Sequence, residues 1–253
     1  MSSFRFILAA ALLTAGCGSR HTTPLRIAAA ADLRFALDEV LKTFREQHAG
    51  WQIEPSYGAS GVFYSQLVNQ APFDLFLSAD IQYPKKLAEQ QLTVPGSEFT
   101  YGVGHIVLWT GASTGIDVEH LGIDALKQPA VHHIAIANPA HAPYGRAAEA
   151  ALRSLGVYDS VKDKIVMGEN ISQTFQLAQS GAAEVGIVAL SLVKGSKVSG
   201  SYWEVSPDKY PRIEQGGVIL KWSKDVDGAQ TFRAFLLSPE GRAILKRYGF
   251  SGE

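Results

Sequence analysis

LRIAAAADLRFALDEVLKTFREQHAGWQIEPSYG, residues 25–58, decides the architecture. A short apolar run, LRIAAAA, leads into a stretch in which Leu33, Leu37, Val40, Leu41 and Phe44 fall on one helical stripe. WQIEPSY then reads as a second strand. Strand, amphipathic helix, strand is the βαβ unit of a sheet with helices on its faces.

The same alternation continues outward. SGVFYSQLVNQ is helical, DLFLSA extended and YPKKLAEQQ helical. A second series opens with YGVGHIVLWTG, read as one extended piece, and continues with HHIAIAN as a buried strand. PYGRAAEAALRSLG is a helix, KIVM a strand, ISQTFQLAQSG a helix and AEVGIVAL a strand. After a break at SPDKYP come GGVILKW and two helices, AQTFRAFLL and PEGRAILKRYG. The expected fold is α/β with two lobes, 25–100 plus 213–253 forming the first and 101–212 the second.

With 253 residues, 46% of them hydrophobic and 19% charged, the chain can bury a core in one large or two medium domains. Its 23 basic and 24 acidic side chains nearly cancel, which gives no support to a nucleic-acid partner. Ahead of residue 25, MSSFRFILAAALLTAGC carries Arg5 and an apolar run over 6–13 that is too short to span a bilayer and fits a secretory signal. Cys17, the one cysteine, follows Ala15-Gly16 as in the lipobox of bacterial lipoproteins, with Thr14 where that motif usually has an aliphatic residue. Residues 18–24 form a polar tether. The expected location is the periplasm or extracytoplasmic face, with Cys17 as the lipidation site; an ordinary signal peptide is the alternative.

Small residues crowd several strand-to-helix junctions: Ala28 to Ala31 before Asp32, Gly58-Ala59-Ser60-Gly61, Pro143-Tyr144-Gly145, and Glu169-Asn170-Ile171-Ser172. A helix start presents unpaired N–H groups and partial positive charge, so an anion can satisfy it where no bulky side chain intervenes. Taken singly, each junction is equally a turn with an N-cap. Two fall in each expected lobe, beyond the carboxyl ends of strands where ligands of open α/β sheets sit.

Read in order, AAAADL (28–33), YGASG (57–61), APFDLFLSAD (71–80), NPAHAPYG (138–145), GENISQ (168–173), GIVAL (186–190) and LKRYGF (245–250) resemble the periplasmic molybdate-binding proteins of bacterial ABC importers over residues 25–250. The resemblance implies the type II periplasmic-binding-protein fold, with a cleft between lobes holding molybdate or tungstate without a counter-cation. It places oxyanion donors at Ala31, Asp32, Ser60, Gly61, Tyr144 and Ile171. It also implies an ABC permease as partner, no cofactor beyond the molybdate or tungstate ligand, no catalysis and a monomer. Tyr144 paired with Ala189 implies that one phenolic O–H reaches the ligand from the Tyr144 helix.

Asp32 departs from the family's usual Ser, Thr or Asn, and a carboxylate facing a dianion is repelled. The expectation is that its side chain turns away and caps its own helix through the N–H of Arg34 or Phe35. A relative specific for sulfate, phosphate or a phosphonate remains an alternative, as does an envelope hydrolase built on Ser60, although GASG lacks the glycine-x-serine-x-glycine spacing. His132, His133, His141 and His120 invite a zinc reading, but adjacent residues on a strand diverge and zinc needs convergent ligands. GVGHIV lacks the third glycine of a dinucleotide loop. Arg146, Arg153 and Lys162 read as solvated faces, and Trp109, Trp203 and Trp222 as packing residues.

Overall fold

The computed structural model describes residues 24–252, so the apolar leader and Cys17 lie outside the described residues. Among the described residues ten strands form two sheets. The first holds β1 (Leu25–Ala30), β2 (Ile53–Gly58), β3 (Leu75–Ser78), β4 (Phe99–Gly104) and, from far along the chain, β10 (Ile213–Ile219), in the order β2-β1-β3-β10-β4. The second holds β5 (Ile106–Gly111), β6 (Ile134–Ala137), β7 (Ile165–Gly168), β8 (Val185–Ala189) and β9 (Gly200–Glu204), in the order β7-β6-β8-β5-β9.

Both sheets follow one plan. Three parallel strands lie at one side, β2-β1-β3 and β7-β6-β8, and the next strand, β10 or β5, runs antiparallel to them. That antiparallel strand is in each case the first one the chain forms on arriving from the other sheet. The chain therefore crosses twice, at His105 and again between β9 and β10.

The YGVGHIVLWTG segment is consequently not one strand. It divides at His105, and β4 ends at Gly104 instead of residue 100, with Tyr101 to Gly104 in the first sheet. His105 fixes the crossing from both sides: its carbonyl accepts from the Leu190 N–H at 3.0 Å, and its Nε2 lies 2.9 Å from the Ser251 hydroxyl. Both halves are buried and apolar, so the composition carries no mark of the break.

The helices are α1 (Arg34–Gln47), α2 (Ser60–Val68), α3 (Gln82–Glu89), α4 (Val118–Leu121), α5 (Pro143–Ser154), α6 (Tyr158–Val161), α7 (Ile171–Gln179), α8 (Leu190–Gly195), α9 (Val226–Leu237) and α10 (Pro239–Arg247). The stripe read from the sequence, Leu33, Leu37, Val40, Leu41 and Phe44, is buried throughout. It meets α9 and α10 on one face of the first sheet, where Phe44 stands edge-on to Phe232 and Phe235. Phe63 and Leu67 of α2 and Leu87 of α3 cover the opposite face with Phe76 and Val218. Burying such side chains contributes about 1.5 to 3 kcal/mol each relative to exposure.

The third and largest core belongs to the second sheet, and it extends across the gap. Ala30, Ala31, Ala59 and Ala79 of the first lobe pack in the same cluster as Ala137, Ala142, Tyr144 and Ile171 of the second. The lobes are thus closed on each other along the small-residue junctions.

Candidate functional site

Each junction has a structural cause. β1 and β2, neighbours in the first sheet, lead at once into a short 3-10 turn (Ala31–Leu33) and α2, and β6 of the second sheet leads through a five-residue loop into α5. The residues ahead of these turns are Ala30, Ala59 and Ala142, and none supplies a side-chain cap. An N-cap alanine costs a helix about 1 kcal/mol relative to Ser, Thr, Asn or Asp. Three alanines in a row of equivalent positions leave first-turn N–H groups open to an external acceptor. Of the four junctions, the one at α7 is capped, by Asn170, whose Oδ1 accepts from the N–H groups of Ser172 and Gln173. Ser60 and Ile171 are first in their helices, so their N–H groups have no intrahelical acceptor.

All six residues read as oxyanion donors, Ala31, Asp32, Ser60, Gly61, Tyr144 and Ile171, are buried, and hydrogen bonds across the gap bring them together. Ser172 Oγ donates to the Ala31 carbonyl at 2.8 Å, and Ser191 Oγ to the Asp32 carbonyl at 2.8 Å. The Gly61 N–H donates to the His141 carbonyl at 2.9 Å. Ser60 Oγ accepts from the Ala79 N–H at 3.0 Å, which leaves its own O–H able to donate. No histidine or carboxylate hydrogen-bonds to Ser60 among the described residues, so the arrangement of a hydrolytic nucleophile and base is not formed there.

One expectation needs correcting. Asp32 does not cap its helix through Arg34 or Phe35; its carboxyl turns into the gap and accepts at Oδ2 from Tyr144 Oη at 2.9 Å and from Gln215 Nε2 at 2.7 Å. Tyr144 Oη also accepts from Gln215 Nε2 at 3.0 Å. A buried carboxyl needs donors, and a phenol from the facing lobe and an amide from β10 meet it there. The Gly61 N–H serves the His141 carbonyl.

Burial raises the Asp32 carboxyl from its ordinary value to about 6, against the opposing pull of the Gln215 and Tyr144 hydrogen bonds and the nearby N–H groups of Asp32 and Leu33. Tyr144 and Tyr101 are pushed well above the usual phenol range, first by burial and then by the Asp32 charge. Tyr101 donates to the Ser78 carbonyl at 2.9 Å.

Arg146 is more than a solvated face. Its guanidinium reaches across the rim of the gap to Asp80 at 2.6 Å and to Tyr83 Oη at 3.4 Å. Both side chains of the ion pair are partly exposed, so its contribution is modest and screened by salt. Arg146→Gln is expected to speed ligand release about two- to fivefold at low ionic strength and to have little effect at high salt. Stopped-flow dissociation rates at two salt concentrations check this.

The histidines are engaged separately. The His132 and His133 N–H groups both donate to Glu184 Oε2, His120 pairs with Asp117, and His141 offers its carbonyl to Gly61. Gln215, Ser191 and the pairing of Asp80 and Tyr83 with Arg146 escaped the sequence reading, and Ser172 was read only as part of a helix start. Only Gln215 left a signal, a lone amide inside the buried strand IEQGGVI.

The model of the bacterial extracellular solute-binding proteins matches residues 25–251. The chain belongs to this family. Among curated relatives, the molybdate-binding protein ModA of Rhodobacter capsulatus is 40% identical over 89% of this chain and 87% of its own length. ModA of Azotobacter vinelandii is 38% identical over 97% of this chain and 98% of its own. The solved structure of the Azotobacter vinelandii periplasmic molybdate-binding protein superposes with a TM-score of 0.84 at 34% identity, covering 90% of this chain and 99% of that one. The two-lobed α/β arrangement is thus the periplasmic-binding-protein fold, and the gap between its sheets is this member's candidate ligand site.

Proposed function

We propose that this family member captures molybdate or tungstate between its lobes outside the cytoplasm and delivers it to an ABC permease, without catalysing a reaction. The observation that carries the reading is the convergence of uncapped helix starts from both lobes on one buried gap. No lysine or arginine hydrogen-bonds or ion-pairs with any of the six donor residues among the described residues. The donors available to the anion are the Ser60 hydroxyl and the first-turn N–H groups at Ala31, Asp32, Ser60, Tyr144 and Ile171. Each charge-assisted hydrogen bond contributes roughly 1.5 to 3 kcal/mol, so a handful supports tight binding after the cost of closing the lobes. Cations favour any anion, whereas a fixed cage of dipoles selects by size. Acylation of Cys17 would keep the protein at the membrane, next to the permease.

Thermal unfolding of the mature protein against molybdate, tungstate, sulfate and phosphate tests this reading. A ligand present at about 100 times its Kd stabilises the folded form by about 2.7 kcal/mol. Molybdate and tungstate are expected to raise Tm at micromolar concentration while sulfate and phosphate at the same concentration do not. Equal stabilisation by sulfate would assign the protein to another oxyanion.

A further inference from the structure

We propose that the Asp32 carboxyl takes up a proton from solvent when the lobes close on an oxyanion in weakly acid solution, so that capture there is coupled to proton uptake. The inference rests on the oxyanion reading above and deepens it.

The geometry of the carboxyl distinguishes its two oxygens. Oδ2 receives both the Tyr144 O–H and the Gln215 Nε2–H, which fills the two lone pairs of a carbonyl oxygen. Oδ1 is buried with no hydrogen-bond partner, and so is Gln215 Oε1. An ionised Asp32 leaves Oδ1 an orphaned acceptor carrying charge in a dry interface, at the desolvation cost of a buried charged atom. A proton on the carboxyl removes that charge.

Nothing cationic offsets the charge. The groups facing the carboxyl are Tyr144 of α5, Gln215 of β10 and the N–H groups of Asp32 and Leu33, with Tyr101 of β4 nearby, while α7 and α8 meet the Ala31–Asp32 backbone through Ser172 and Ser191. No lysine, arginine or histidine pairs with Asp32 among the described residues. Both tyrosines keep their protons across the working pH range. An anion at the adjoining helix starts disfavours the ionised form further.

Closure supplies the burial, because Tyr144 stands on the second lobe and Asp32 on the first. In the open protein the carboxyl meets water and returns toward its ordinary value of 3.8, whereas burial in the closed protein raises it to about 6. A carboxyl raised on closure favours the closed form fully below the lower value, and that advantage disappears as pH rises through the upper one. Linkage between these two values makes affinity about tenfold weaker at pH 7.5 than at pH 5, with about 0.8 proton taken up per anion at pH 5.

Titration calorimetry with sodium molybdate and sodium tungstate, at pH 5 in two buffers of different ionisation enthalpy, counts the protons directly. The wild-type protein is expected to take up most of one proton. Asp32→Asn is expected to take up none, to lose the pH dependence, and to bind more tightly than wild type at pH 7.5. Binding with no proton uptake, or uptake that persists in Asp32→Asn, overturns the coupling alone. Failure of every anion to bind overturns the functional reading and the coupling with it.

Discussion

Gly61→Ala is expected to weaken oxyanion binding about 100-fold while leaving the ligand-free protein as stable as before, or slightly more so. The two effects separate because the position serves two structures. Within α2, alanine is the better helix former by up to about 1 kcal/mol. Across the gap, a methyl group on Gly61 would stand 2.7 Å from the His141 carbonyl oxygen and 2.8 Å from Tyr83 Oη. A phenol at the end of a half-buried side chain can swing aside. The His141 oxygen is backbone, in the loop that leads into α5, and it is also the acceptor of the Gly61 N–H. The methyl is therefore relieved most readily by parting the lobes, which removes the closed state without unfolding either one. Calorimetric affinity and the ligand-free melting temperature, measured on the same variant, check both halves. Wild-type affinity in Gly61→Ala would show that the His141 contact is not part of the anion-bound state.

How much of this was legible follows from distance along the chain. The strand at residue 25, the α1 stripe and the sheet-helix alternation are local patterns, and local patterns survive in a single sequence. The four junctions were legible for the same reason: at three of them alanine stands where a capping side chain would normally be, and at the fourth Asn170 is itself a cap. The break at His105 was not, since two buried apolar strands in different sheets have the same composition as one long strand. β9 was missed because its GSYWE segment is a partly exposed edge strand without an alternating pattern. The fate of Asp32 was least accessible. Its two donors lie 112 and 183 residues away, so a helix cap, which needs only the neighbouring turn, was the one satisfaction the sequence offered.

The misreading of Asp32 and that of Arg146 share a physical origin. A charged side chain on a helix flank is read from its own segment alone, Arg146 as a solvated face and Asp32 as a cap of its own helix. Both residues instead face the opposite lobe, Arg146 at the rim with Asp80 and Asp32 at depth with Tyr144. The exposed pair is worth little, whereas the buried one governs closure, since an unpaired polar atom costs more in a dry interface than a made hydrogen bond returns in water.

Tyr144→Phe tests that depth dependence. The ring remains to pack in the second lobe, where the side chain is 2% exposed, and only the hydroxyl is lost. Asp32 Oδ2 then keeps Gln215 Nε2 as its one side-chain donor, and the amide loses its second acceptor. Leaving such groups short of a partner costs about 1 to 3 kcal/mol, and only in the closed state, so binding is expected to weaken roughly 5- to 150-fold. The deficit depends on pH in a defined direction. The Tyr144 hydrogen bond holds the Asp32 carboxyl down, so its removal raises that carboxyl beyond about 6 in the closed form. The loss should therefore be smaller at pH 5, where the acid is protonated in either protein, than at pH 8, where the wild-type carboxylate relies on the phenol. Dissociation constants at the two pH values decide the point, and the double variant with Asp32→Asn isolates the coupling between the two side chains. Equal deficits at both pH values would mean that the phenol stabilises closure by some route other than this carboxyl.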